Sequence, residues 1–199
     1  MLQIKAFGDG GKMLKTRALF LVAFSSLIVL CSCEKVPKAP TASNIFSNVH
    51  KGIAIVYPMK EGKVTGVARF EHAGSGIKVV AHIEGLKPNS KQGFHIHEYG
   101  DCSASDFSSA GAHYNPQNRQ HAGPENDEHH AGDMGNLVSN DKGVADYEYT
   151  FSDLTIAGGM NPVLGRAVII HENEDNLVSQ PTGNAGSRIA CGVIGIAIN

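Results

Sequence analysis

The chain has 199 residues, of which 42% are hydrophobic and 18% charged, and its formal net charge is −2. This length and composition suit one globular domain preceded by a leader. No dense basic stretch occurs, so we exclude nucleic acid as a partner.

The N-terminal region has the features of a secretory signal. Three basic residues precede an apolar run over residues 18–30, which ends in small residues and is short for a transmembrane helix. Leu30 lies three positions before Cys33, as in a bacterial lipobox. This pattern predicts cleavage before Cys33 and attachment of lipid to its thiol. A plain cleaved signal without lipid is the alternative.

The chain therefore divides into three parts. Residues 1–32 are predicted to be the signal, with Met13 as an alternative start because it opens a conventional signal by itself. Residues 33–48 are polar and contain proline, which is typical of a tether between a lipid and a folded domain. The domain occupies residues 49–199. We expect export to the bacterial cell envelope, with the lipid bilayer as a partner.

The predicted processing leaves two cysteines. Cys31 departs with the signal and Cys33 carries lipid, so Cys102 and Cys191 remain and are predicted to pair in an oxidising compartment. Removal of residues 1–32 also takes away four basic residues and one acidic residue. The mature chain then has 13 Lys and Arg against 18 Asp and Glu, a net charge of −5.

Short apolar segments that alternate with period two begin near His50 and predict antiparallel strands. The predicted strands cover residues 53–57, 64–70, 77–83, 94–97, 136–138, 145–151, 166–170 and 191–198. Two long irregular segments, at residues 99–132 and 172–187, interrupt this pattern. Irregular segments of this length in a compact domain are usually functional. The sequence therefore predicts an all-β sandwich or barrel of about eight strands with two long functional loops.

Histidines cluster in and beside the first of these loops. His95 and His97 are two apart on a predicted strand, so both project from the face opposite Phe94 and Ile96, about 7 Å apart at their Cα atoms. His171 ends a later strand and could complete a set of three imidazoles with them. Such a set with an open position suits copper.

The loop itself contains a second set with the spacing H-x7-H-x8-H-x2-D. Its members are His113, His121, His130 and Asp133. Three imidazoles and one carboxylate suit a closed tetrahedral zinc site. The alternative, a solvated histidine-rich loop, does not account for this spacing.

Several motifs together resemble the copper/zinc superoxide dismutase family. They are G-F-H-I-H-E-Y-G-D, A-H-Y-N-P, H-x8-H-x2-D, I-I-H-E and G-N-A-G-S-R-I-A-C-G-V-I-G, in family order over about residues 50–198. The resemblance implies an antiparallel Greek-key barrel. It also implies dismutation of superoxide to oxygen and hydrogen peroxide by a redox-cycling copper ion, with one copper and one zinc ion in each subunit.

The resemblance assigns a role to each matching residue. The copper ligands it implies are His95, His97, His113 and His171, and the zinc ligands are His113, His121, His130 and Asp133. His113 then bridges the two metals and, with Arg188, forms the catalytic pair. Arg188 would hold the superoxide anion, unless it is a structural salt-bridge partner. Asp175 would hydrogen-bond one ligand of each metal.

Other polar residues near the motifs receive ordinary interpretations. His129 adjoins His130, but the spacing favours His130 as the ligand, so His129 is predicted to be solvated. His50, His72 and His82 are predicted to be surface or packing residues. Glu98 and Glu172 follow metal ligands directly and are predicted to be solvated or to bond loop backbone.

The chain departs from eukaryotic members of the family in two places. Phe107 stands where the loop cysteine lies in those enzymes, and the cysteine is instead Cys102, as in bacterial members. This change leaves the interface of a possible homodimer open. Pro181 stands where they carry a lysine, and residues 172–187 contain no Lys or Arg. Arg188 and the metals, alone or with Arg119, are then left to steer the anion, so we expect a weaker dependence of rate on ionic strength than in the lysine-bearing enzymes.

Two other classes of function compete with the enzyme. One is a module that stores or delivers copper on the same scaffold, and the other is a structural sandwich that binds zinc alone. Either could dispense with Arg188 or a copper histidine, and this sequence keeps both.

Overall fold

The computed structural model describes residues 48–198, which form eight antiparallel strands. The strands are β1 (Lys51–Pro58), β2 (Thr65–Ala73), β3 (Gly76–Glu84), β4 (Lys91–His97), β5 (Asp133–Val138), β6 (Ala145–Phe151), β7 (Ala167–His171) and β8 (Arg188–Ile196). The predicted strands agree with these apart from their ends. β5 begins three residues before its prediction, so Asp133 lies on a strand.

The strands form one sheet in the order β5-β4-β7-β8-β1-β2-β3-β6, which curls into a nearly closed barrel. The edge strands β5 and β6 approach each other, and the Tyr147 hydroxyl of β6 donates to the Met134 carbonyl of β5 at 2.9 Å. Strands 4 to 7 therefore have the spatial order 7-4-5-6, which is a Greek key. The predicted all-β Greek-key fold is confirmed.

The alternation of the strands sorts side chains between the barrel interior and its outer surface. On β4, Phe94 and Ile96 are fully buried in the main core, while His95 and His97 lie on the opposite face, as predicted. On β1 the small residues Ala54 and Val56 fill the core. The larger Ile55 and Tyr57 point outward and are 41% and 63% exposed. Size alone thus does not indicate which face of β1 is inside.

Two long connections cover the histidine face of the barrel. Residues 98–132 join β4 to β5 and contain one short 3-10 turn, Ser108–Ala110, and residues 172–187 join β7 to β8. The Cys102–Cys191 disulfide, with Cα atoms 5.9 Å apart, ties the first loop to β8. A small separate core of Phe107, Ala110, Ala167, Ile169 and Cys191 packs beneath this loop. Both predicted loops and the predicted disulfide are confirmed.

The predictions for the N-terminal region fall outside the described residues. They are the signal, the alternative start at Met13, the lipid on Cys33 and nearly all of the tether. Within residues 48–198, no helix has the length and apolarity needed to cross a membrane.

Candidate metal centre

Strand β4 and the loop after it bring the first histidines together. His95 and His97 project from the outer face of β4, and His97 forms an isolated bridge with His113 in the loop. His171 is the last residue of the neighbouring strand β7. The backbone hydrogen bonds from Glu98 N to Ala112 O and from Tyr114 N to Ile96 O, 3.0 and 2.9 Å long, hold the His113 segment against β4. Four buried imidazoles therefore meet beside the barrel.

A second group of ligand atoms surrounds one carboxylate oxygen. The Oδ1 atom of Asp133 lies 2.9 Å from His113 Nδ1, 3.0 Å from His121 Nδ1 and 3.3 Å from His130 Nδ1. Its other oxygen, Oδ2, accepts backbone N–H groups of Ala122 and His130 at 3.2 and 2.9 Å. The carboxylate is thus held by the loop backbone with one oxygen among three imidazole nitrogens.

These distances fit a tetrahedral metal ion. Ligand atoms about 2.0 Å from a tetrahedral zinc lie about 3.3 Å from one another, close to the spacing around Asp133 Oδ1. The Nδ1 atoms of His121 and His130 are also buried without a hydrogen-bond partner among the described residues. Nitrogens in that state carry a large desolvation cost unless they bind a metal.

The four-histidine group offers nitrogen ligands from several directions. His97 Nε2 lies 3.4 Å from His171 Nε2, and both are held by their other nitrogens. His97 Nδ1 donates to the Gly111 carbonyl at 2.9 Å, and His171 Nδ1 donates to the Gly186 carbonyl at 3.1 Å. Since a carbonyl can only accept, both Nδ1 atoms carry the hydrogen, and each Nε2 presents a lone pair. His95 Nδ1 and His113 Nε2 are buried without a hydrogen-bond partner in the described part of the chain.

His113 belongs to both groups. Its Nδ1 lies against Asp133 and its Nε2 is oriented away from the carboxylate, so one ring can present a nitrogen to each of two metals. The two groups, His95/His97/His113/His171 and His113/His121/His130/Asp133, are consistent with copper and zinc respectively.

Asp175, from the second loop, also contacts both groups. Its Oδ2 lies 2.7 Å from His95 Nε2 and its Oδ1 lies 2.9 Å from His121 Nε2. Asn136 on β5 holds the Asp175 backbone by two 2.8 Å bonds: its Oδ1 accepts the Asp175 N–H, and its Nδ2 donates to the Asp175 carbonyl. Gly183 has a φ of 65°, and a Cβ there would collide with the Asp175 carboxylate. Sequence reasoning missed Asn136, because a lone amide on a strand has no distinguishing pattern.

Comparison with known proteins decides the family. The model of the copper/zinc superoxide dismutase (SODC) family matches residues 64–194. The chain belongs to this family. A Cu-Zn superoxide dismutase of Paramecium bursaria Chlorella virus 1 is 38% identical over 183 residues, covering 89% of this chain and 96% of the relative.

Two further relatives carry the same activity in their names. The Schizosaccharomyces pombe Cu-Zn superoxide dismutase is 42% identical over 147 residues, 69% of this chain and 94% of the relative. The extracellular Cu-Zn superoxide dismutase of Drosophila melanogaster is 47% identical over 129 residues, 62% of this chain and 70% of the relative. The chain is therefore a copper/zinc superoxide dismutase, and its substrate is superoxide.

Arg188 lies at the start of β8, where it pairs with His171 across the ladder. Its guanidinium donates to the carbonyls of Phe107 and Gly111 in the first loop. Among the described residues it forms no salt bridge, although the Asp106 carboxylate interacts with it electrostatically, and its role as the anion-binding cation stays a prediction. Gly111 O thus accepts from Arg188 and from His97 Nδ1, which connects the cation to the four-histidine group.

The structure contradicts the prediction that His129 is solvated. It is only 6% exposed, and its Nδ1 donates to the His130 carbonyl at 2.7 Å. The local i,i+1 hydrogen bond folds the ring back onto the loop, which spacing alone does not reveal. The other minor predictions hold: His50, His72 and His82 are exposed, and Glu98 accepts the Ala112 N–H at 3.0 Å. Glu172 is exposed.

Burial sets the protonation of most of the histidines. Burial, with the neighbouring His113, lowers the pKa of His95 to about 3, and burial lowers the pKa of His171 to about 4. Burial also lowers the pKa of His97 and His113. For His121, burial is outweighed by the adjacent carboxylates of Asp133 and Asp175, which raise its pKa to about 9. Four of these rings are therefore neutral at physiological pH, as metal ligation requires.

These pKa values predict how the metal-free protein responds to acid. An unfolded histidine titrates near 6.5, so between about pH 6.5 and 3 the unfolded chain binds protons at His95 and His171 that the folded chain does not. The free energy of unfolding should therefore fall as pH decreases through this window. His121 acts oppositely: its contribution is complete below about pH 6.5 and is lost as pH rises through about 9.

Denaturant unfolding of the metal-free protein at a series of pH values measures this dependence. A His95→Gln variant should show a flatter decline between pH 6.5 and 4, because it lacks one of the four buried rings that resist protonation in the folded state. An unfolding free energy that stays constant or rises as the pH is lowered from 7 to 4 would contradict the expectation.

Proposed function

We propose that this chain protects a bacterial cell envelope from superoxide, with copper on His95, His97, His113 and His171 and zinc on His113, His121, His130 and Asp133. The observation that carries the proposal is the sharing of His113 between two buried four-ligand groups. When bound, copper supplies the one-electron redox chemistry that converts two superoxide anions and two protons into O₂ and H₂O₂.

The residues of the chain supply binding, orientation and a proton. Arg188 provides a fixed cation at the four-histidine group, where burial strengthens its attraction for a small anion. His113 Nε2 is the atom that takes up a proton and delivers it to the leaving peroxide. Asp175 fixes the orientation of the His95 and His121 rings through their Nε2 atoms.

Superoxide consumption by the metal-loaded protein tests these roles. Arg188→Ala should keep both metals and lose about 10-fold or more of kcat/KM, because it removes the anion-binding cation. His171→Ala should instead lose copper while retaining zinc. Full activity of Arg188→Ala would show that Arg188 does not bind the anion, whereas wild-type activity no faster than free buffer would favour copper storage.

Anion steering gives a further prediction. Residues 172–187 contain no cation, and Arg119 lies 3.4 Å from Glu128 and donates to Asp127 O, so its field is partly neutralised. We expect kcat/KM to change less between about 10 and 150 mM salt than in family members that carry a lysine at the position of Pro181. Stopped-flow decay of superoxide measures this, and an equal or steeper loss of rate would contradict it.

Export and a lipid anchor on Cys33 complete the proposed function. The disulfide of the folded domain suits an oxidising compartment, and one relative is named extracellular. Expression of the full chain in a bacterium with labelled palmitate should give a membrane-bound, labelled protein. Cys33→Ala should abolish the label. A wild-type protein that is exported but unlabelled would favour the plain cleaved signal.

We also propose that two copies associate through the outer face of β1 and β8. Ile55, Tyr57 and Val193 are 41%, 63% and 42% exposed there and border a cavity of about 420 Å³. All residues lining this cavity are uncharged. An identical surface can pair with it without bringing like charges together.

Light scattering of the delipidated domain tests this interface. Ile55→Asp should convert a dimer to a monomer, whereas Val138→Asp, at an exposed apolar residue on β5, should not. A wild-type monomer, or dissociation by both variants alike, would argue against this face.

A further inference from the structure

Gln180, in the second loop, holds both backbone polar groups of His121. Its Oε1 accepts the His121 N–H at 2.8 Å, and its Nε2 donates to the His121 carbonyl at 2.8 Å. This pair of bonds has the form of one rung of a β-ladder, made by a side chain. Because both its N–H and its carbonyl are hydrogen-bonded to one side chain, the His121 backbone has little rotational freedom.

The same loop also holds the His121 ring. Asp175 Oδ1 lies 2.9 Å from its Nε2. The main chain from 176 to 183 is closed by bonds from Asn176 N to Gly183 O and from Gly183 N to Ser179 O, 2.9 and 2.7 Å long. Two separate points of one loop thus hold the backbone and the ring of a single residue. The ring's other nitrogen, Nδ1, is left facing Asp133.

Gln180 also forms part of a wall. With Pro181 and Thr182 it lines a cavity of about 430 Å³ that reaches His113 and His130. Gln180 therefore contacts a residue of the zinc group on one side and borders the space beside the shared histidine on the other.

We propose that Gln180 is a positioning residue that fixes zinc ligand His121 and couples zinc binding to the order of the wall segment 180–182. It rests on the proposed assignment of His121 as a zinc ligand. The coupling is reciprocal: the free energy by which an ordered segment 180–182 strengthens zinc binding equals the free energy by which bound zinc stabilises that segment. Zinc stabilises the wall, and the wall slows the release of zinc.

Gln180→Met tests the proposal because methionine has nearly the same length and removes both hydrogen bonds to His121, together with the 3.3 Å bond from Gln180 Nε2 to Val178 O. Groups that orient metal ligands typically change metal affinity by about 10- to 100-fold, so we expect zinc release to a chelator about 10-fold faster. Hydrogen exchange should accelerate at the His121 amide, which loses its acceptor. The difference in exchange of residues 177–183 between zinc-free and zinc-loaded protein should also shrink.

Ser179→Ala is the matched control. The Ser179 hydroxyl accepts from Asn176 and Asn184 at 2.8 and 2.9 Å, so this variant also loses two hydrogen bonds, next to Gln180 but without contact to His121. We expect its zinc release to stay within about 2-fold of the wild type, since no group that orients a zinc ligand is changed. Acceleration by both variants alike would indicate general loosening of the loop and overturn the proposal.

A second variant, Gln180→Glu, tests the same contact if Gln180→Met fails to fold. Gln180→Glu keeps an acceptor for the His121 N–H but places an oxygen against the His121 carbonyl, so zinc release should again accelerate. Unchanged release in both folded variants, with a protected His121 amide, would overturn the proposal. A wrong assignment of His121 as a zinc ligand would be seen separately, because His121→Ala would then retain zinc. Exchange of the His121 amide in the metal-free protein would still report whether Gln180 holds the His121 backbone.

Discussion

Replacing Asp133 by asparagine is expected to abolish zinc binding while leaving the barrel folded. Asp133 Oδ1 lies within 3.3 Å of three imidazole nitrogens and is the only anionic ligand of its group. An amide loses that charge, and its NH₂ must face either those nitrogens or the backbone N–H groups of Ala122 and His130 that now donate to Oδ2. In one orientation the NH₂ faces the two backbone N–H donors, and in the other it faces the zinc position, so neither orientation is favourable.

We expect zinc affinity to fall by more than about 100-fold, beyond the range seen when only groups behind the ligands are changed. Competition with a chromophoric chelator measures the affinity, and metal analysis gives the stoichiometry. Asp127→Asn, at an exposed carboxylate in the loop that precedes Asp133, changes the net charge equally and should bind zinc as the wild type does. Stoichiometric zinc of unchanged affinity in Asp133→Asn would remove Asp133 from the zinc group.

Alternation along strands made much of the site predictable. Two histidines separated by one residue must share a face of β4, and Phe94 and Ile96 must then occupy the other, which is the core. The H-x7-H-x8-H-x2-D spacing predicted the second group, and the structure brings its four ligand atoms within 4.8 Å of one another. Periodicity acts over a few residues, so it identifies ligands that a strand or a short loop supplies.

The contacts that sequence reasoning missed depend on long-range packing of polar groups. Asn136 and Gln180 are single amides whose partners lie 39 and 59 positions away. The burial of His129 depends on how the loop turns, and the outward face of β1 depends on which side chains the closed barrel can accommodate. None of these follows from local pattern.

A predicted residue, Asp175, and a missed one, Asn136, together explain why the second loop matters to two metal groups to which it supplies no ligand. Asp175 bonds one ring of each group, and Asn136 anchors the Asp175 backbone to β5. The two metal groups therefore share a ligand, His113, and a supporting carboxylate. A change in one group should alter the geometry of the other even where the ligands themselves are intact.

Removing the Cys102–Cys191 disulfide is expected to lower both stability and activity. The bond spans 89 positions, and the loop-entropy model gives a stabilisation of about 4 to 5 kcal/mol for a loop of that length. The tethered segment also supplies the Phe107 and Gly111 carbonyls that hold Arg188, and Gly111 O accepts from His97 Nδ1. Release of this segment frees both Arg188, the proposed anion-binding cation, and His97 of the four-histidine group.

Denaturant unfolding and superoxide consumption of Cys102→Ser/Cys191→Ser, with metal content matched to the wild type, measure the two effects. Reduction of the unmodified protein breaks the same bond without changing its sequence, so the reduced wild type should agree with the double variant in both measurements. If only stability fell and kcat/KM were unchanged, the Phe107 and Gly111 carbonyls would keep Arg188 in place without the covalent link. The packing of Phe107 and Ala110 on Ala167 and Ile169 would then be sufficient to position the loop.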